Sequence, residues 1–265
     1  MTIPYGTEIY NLNYLHVSSQ GVYYSSRELN SCLEGPVSKT LFDNEGTDIL
    51  RTLLSGVAET NFEHENVKRI LYSKQESERW RVGEALAESY LVAHRNCFFP
   101  WPVSRDKKKE RASLPGTDLV GFQEATERDN RFAFGEVKTS EQEKYPPSVM
   151  YGQHGLKHQL EDLCSNVSTR DTLVKYLAHR AQGSSWVRQY KDSAKRYLAN
   201  NLDVSLFGIM VRDVDPHTDD LFALTRNLAE ISSPPLSVEL LALYLPAGSI
   251  ENLSSKVRAV AQEGN

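Results

Sequence analysis

Apolar and polar positions along the chain fall into strand-like and helix-like stretches. Residues 9–24, IYNLNYLHVSSQGVYY, alternate imperfectly around Ser18, Ser19, Gln20 and Gly21, which predicts a hairpin turning there. From about Thr47 to His94 the apolar spacing is helical, ending in SKQESERWRVGEALAESYLVAHR. NCFFPWPV reads as a short strand broken by Pro100 and Pro102. After the charged loop SRDKKKERASLPG come two strands, TDLVGF and RFAFGEVKTS, joined by a polar turn. Helical patterning returns from about Ser148 to Asn200, with breaks near Asn166 and Gly183. The end of the chain predicts strand 204–211, helix 219–230, strand 237–245 and helix 251–262. Strands separated by helices predict an α/β fold, a mixed central sheet flanked by helices. Residues 1–64 read as an N-terminal hairpin and helix region and 65–265 as the main domain, or both form one continuous domain.

Composition narrows the class. With 40% hydrophobic and 25% charged residues the chain reads as an ordinary globular protein. No apolar run approaches the roughly eighteen residues of a membrane span. The start, MTIPYGTEIY, has no basic region followed by an apolar core, so no secretory leader is expected. Cys32, Cys97 and Cys164 are odd in number and far apart, which fits a reducing cytoplasm better than a disulfide framework. A net charge of −5 means that any contact with nucleic acid must be local. No Walker-type glycine loop and no G-x-S-x-G elbow is present, so nucleotide-hydrolysing and serine-hydrolase readings lack support.

The chemistry concentrates in the two central strands. In FAFGEVKTS, Glu136 and Lys138 are two residues apart and so share one face of an otherwise apolar strand. An antiparallel pairing with TDLVGF would set Asp118 beside Glu136. Two neighbouring carboxylates repel and call for a cation. Mg²⁺, or Mn²⁺, takes oxygen ligands, and Lys138 on the same face would handle a metal-bound water. Such a set suits phosphodiester hydrolysis. The plainer alternatives are a turn-stabilising Asp118 and an exposed Glu136–Lys138 ion pair.

Asp118, with Pro115 and Gly116 ahead of it, then seventeen residues, then Glu136-Val137-Lys138, resembles the signature of the PD-(D/E)XK nuclease superfamily. The resemblance implies a restriction-endonuclease-like core with metal ligands Asp118, Glu136 and the Val137 carbonyl. It also implies a metal-contacting glutamate on the preceding helix, Glu84 in RVGEALAESYL, with Glu88 as second choice. The plainer alternative is an exposed Glu84 paired with Arg81 three residues before it. Over residues 65–245 the chain is most similar to the nuclease subunits of Hachiman antiphage defence systems. That similarity implies a DNA-degrading effector held by a helicase partner.

Two local basic patches are candidate DNA contacts. Residues 105–111 carry a net charge of +3 and include Lys107, Lys108 and Lys109. Residues 175–196 carry +5, with Arg188, Lys191 and Lys195 at helical spacing and Trp186, Tyr190 and Tyr197 on another side. A merely solvated face is the alternative for each. His154, His158 and Asp162 recur every fourth residue, conceivable zinc ligands, while Gln153, Lys157 or His158 could instead face the active site or backbone phosphates. RDVDPHTDD lacks the glycine and final glutamate of a calcium loop, so Thr218 or Asp219 is expected to cap a helix. The leading expectation is a Mg²⁺-dependent DNA endonuclease. A non-catalytic binding module and a site-specific restriction-type enzyme are the rivals.

Overall fold

The computed structural model describes residues 3–71, 78–106, 116–126 and 129–263. A hairpin of β1 (Thr7–Tyr14) and β2 (Val17–Tyr23) leads into α1 (Ser26–Cys32), α2 (Ser38–Phe42), α3 (Asn44–Ser55), α4 (Asn61–Leu71) and α5 (Arg79–His94). Then come β3 (Cys97–Phe98), β4 (Leu119–Thr126) and β5 (Asp129–Ser140), followed by α6 (Leu156–Ser165), α7 (Val167–Ala181) and α8 (Val187–Ala199). The chain closes with β6 (Val204–Arg212), α9 (Phe222–Ile231), β7 (Ser237–Tyr244) and α10 (Ser249–Glu263).

All seven strands join one mixed sheet in the order β1-β2-β7-β6-β5-β4-β3. The four central strands, β2, β7, β6 and β5, run parallel, and antiparallel strands lie at both edges. One face carries α1, α2, α5 and α10, the other α6 to α9. β6 is buried at every position, which is why VSLFGIMVR reads as a nearly unbroken apolar run. At its centre Gly208 lets α6 approach, for a Cβ there would lie 2.4 Å from Leu160 Cδ1. No helix among the described residues is long and apolar enough to cross a membrane.

The N-terminal hairpin turns at Leu15 and His16, not at Ser18 to Gly21. Leu15 takes the left-handed conformation, with φ of 55°. Gly21 is a strand residue lying against the Tyr10 ring, whose Cε1 would sit 2.3 Å from an added Cβ. The glycine marks a close cross-strand approach rather than a turn. β2 pairs with β7 along its whole length, so this hairpin belongs to the main sheet. The cap before α9 also differs from expectation. His217, not Thr218 or Asp219, caps the short 3₁₀ turn Thr218–Asp220, its Nδ1 accepting from the Asp219 N–H at 3.2 Å.

Candidate active site

The antiparallel register of β4 and β5 pairs Leu119 with Gly135. One step beyond, Asp118 lies opposite Glu136. β4 begins at Leu119, and just ahead of it the Asp118 carboxylate extends the ladder by accepting the Val137 N–H at 2.8 Å. On a strand a residue's N–H and C=O face the same neighbour, so the Val137 carbonyl also points to the Asp118 side. Even-numbered residues of both strands, among them Val120, Phe122, Phe132 and Phe134, face the layer of α6 to α9. Glu136 and Lys138 project from that same face.

Burial sets the electrostatics. Glu136 is only 1% exposed, while the Lys138 side chain keeps 20% exposure. Lys138 Nζ donates to Glu136 Oε1 at 2.5 Å, and Glu136 Oε2 is buried without a hydrogen-bond partner among the described residues. Desolvation, then the neighbouring Asp118 charge, push the Glu136 carboxyl up to about 8, with Lys138 pulling the other way. A buried carboxylate with an unsatisfied oxygen beside a second carboxylate favours a bound cation. The donor set of Asp118, Glu136 and the Val137 carbonyl is all oxygen, as a hard divalent ion requires. Among the described residues no three His, Cys, Asp or Glu side chains are grouped to hold a metal, so the third protein ligand would be that backbone carbonyl.

Glu84 is carried by a helix on the other side of the sheet. Its helix, α5, packs on the opposite face of the sheet, the face bearing Val137. Gly83 makes a close approach to β5, for a Cβ there would lie 2.1 Å from Thr139 Oγ1. Glu88 looks toward α2: burial, then Asp43, push its carboxyl up to about 8. Asp43 itself is held by Arg105 through two bonds of 2.7 Å.

Arg188, Lys191 and Lys195 lie exposed on α8, with Trp186, Tyr190 and Tyr197 turned inward onto Phe122 and Phe132. α8 therefore has the expected basic outer face, and it covers the sheet on the same side as Glu136 and Lys138. Lys107, Lys108 and Lys109 lie outside the described residues. His154 precedes α6, and Asp162 accepts bonds from Asn166 and Thr169, so the four-residue recurrence does not form a zinc site. Gln153 and His158 are exposed, and Lys157 lines a cavity of about 90 Å³ with Asp219, Asp220 and Leu224, toward α9.

One polar group escaped the sequence reading. Gln159 lies on the α6 flank opposite Lys157, hence on the β5 side of the helix. It immediately precedes Leu160, which fills the space at Gly208 directly across from Glu136. Its Oε1 is buried without a hydrogen-bond partner among the described residues. The signal available in sequence was its spacing, three residues after Leu156 and one before Leu160, at the margin of the apolar stripe. No protein-family model and no curated protein sequence matches this chain.

Proposed function

We propose that this chain is a divalent-metal-dependent DNA endonuclease built on a restriction-endonuclease-like core. One observation carries the reading: Asp118 and Glu136 meet across two paired strands, with Lys138 on the same face and one Glu136 oxygen unsatisfied. Asp118, Glu136 and the Val137 carbonyl would hold Mg²⁺ or Mn²⁺. When bound, the ion supplies charge stabilisation at the phosphate and acidifies a water. Lys138, once released from Glu136, would hydrogen-bond the attacking water and orient it. Gln159, on the helix that packs over β5 and β6, is a candidate to contact the phosphate or that water. The basic face of α8 offers phosphate contacts without base readout, which favours a DNA-degrading effector over a site-specific enzyme. The sequence resemblance further supports a helicase partner and an antiviral setting.

The test is nicking of supercoiled plasmid by the purified chain, with Mg²⁺ or with EDTA, alongside Glu136→Gln and Lys138→Ala. Metal-dependent nicking that both variants lose is the expected result. Nicking that survives both substitutions would remove the assignment. DNA binding that is indifferent to metal, with no cleavage even when a helicase partner and ATP are added, would make the chain a binding module instead.

A further inference from the structure

Among the described residues, Lys138 is the cation bonded to Glu136, its Nζ donating to Oε1 at 2.5 Å. The two side chains share one face of β5, two residues apart. Glu136 is sealed from solvent while Lys138 stays partly exposed, so the ammonium forms the outer side of the pair. Asp118 brings a second carboxylate to this single ammonium from the paired strand. With both acids ionised, the centre carries one uncompensated negative charge. A divalent ion about 2.1 Å from Oε1 would lie within about 4.6 Å of an ammonium bonded to the same oxygen. At that range, in a partly buried site, two cations repel by many times the thermal energy. Lys138 and an ion therefore compete for Glu136. Once an ion balances both carboxylates, the displaced ammonium is one positive charge in excess. A phosphodiester carries one negative charge and accepts an ammonium's hydrogen bonds, so it corrects that excess.

Resting on the endonuclease reading above, we propose that Lys138 is a built-in competitor for the metal at Glu136, and that the DNA phosphate draws it away. Ion and DNA then load together. An ion arriving alone must strip Lys138 from its carboxylate and leave the ammonium without a partner. DNA arriving alone must take the same lysine and leave two carboxylates facing its own negative charge. Each ligand relieves the cost that the other meets, so each tightens the other, by one and the same factor. The strand itself stays in place, for β5 is bonded to β4 on one side and to β6 on the other. The exchange is confined to the torsions of one side chain. Its effect is a centre that takes up its ion where DNA is present.

The experiment is acetylation of the full chain by limiting reagent, read by mass spectrometry, with calorimetry of Mg²⁺ binding alongside. Acetylated Lys138 resists trypsin and leaves FAFGEVK joined to TSEQEK. Measured against the exposed Lys191 and Lys195, saturating Mg²⁺ should speed labelling of Lys138 about tenfold, as loss of a charge-assisted bond would. Glu136→Gln should label Lys138 faster than the wild type before any Mg²⁺ is added. An oligonucleotide with cleavage-resistant linkages should tighten Mg²⁺ binding by the wild type about tenfold more than by Lys138→Met. If bound Mg²⁺ leaves the labelling of Lys138 unchanged, or if the oligonucleotide acts equally on both proteins, the competition is overturned and the metal site stands. No heat of Mg²⁺ binding in the wild type, with or without the oligonucleotide, would remove the metal site and this proposal with it.

Discussion

Asp118 does two jobs that substitution can separate. Its carboxylate accepts the Val137 N–H where the β4–β5 ladder has already ended. Asp118→Asn keeps an acceptor oxygen and should leave urea stability nearly unchanged while abolishing cleavage. Asp118→Ala also orphans a buried donor and should cost about 1–2 kcal/mol. Glu136 gives a pH signature in the metal-free protein. Its folded carboxyl holds a proton up to about 8, against an ordinary value of 4.5. Folding therefore retains a proton over that interval. The stabilisation is complete below 4.5 and is lost as pH rises through 8. Urea midpoints across this range should fall with pH in the wild type and fall less in Glu136→Gln. Glu88, also raised to about 8, contributes in the same sense. On the metal-site reading proposed above, excess Mg²⁺ should reverse the Glu136 share, because a cation there would bind the ionised form.

At the scale of elements, α8 and α5 make separate predictions. Replacing Arg188, Lys191 and Lys195 by Gln removes exposed charges, so melting temperature should hold while DNA affinity falls. Each lost phosphate contact should flatten the logarithmic salt dependence by about 0.9, which binding titrations at several salt concentrations would measure. Gly83 is where α5 meets Thr139 most closely. Gly83→Ala should destabilise by about 1–3 kcal/mol through overpacking, partly offset by about 1 kcal/mol of helix propensity. Combining it with Thr139→Ala should recover most of the loss, as a double-mutant cycle in urea would show. The antiparallel meeting of Asp118 and Glu136 was legible because the period of two and the intervening turn together fix which side chains share a face. The role of α5 was not. Its apolar residues encircle most of the helix, so no stripe could say that Gly83 turns to the sheet.

Across the whole molecule, the order of strands and helices from β4 to α10 follows the hydrophobic pattern closely, because each long element has an unambiguous period. The assembly of the sheet does not. Nothing in IYNLNYLHVSSQGVYY announces that β2 will pair in parallel with β7, more than two hundred residues later. Only Gly208 and Leu160 show why α6 sits over β6 at the height of Glu136. The placement of β5 has a further consequence. It is bonded to β6 from Phe132 to Ser140 and to β4 on its other side, so Glu136, Val137 and Lys138 stand inside the sheet rather than on a loop. Amide protons there can exchange with solvent only when the sheet as a whole opens. A centre embedded in this way cannot be turned off by melting a segment and on by ordering it. On the endonuclease reading proposed above, restraint would act from outside, by shielding the mouth of the site or withholding an ion, with β5 itself always assembled.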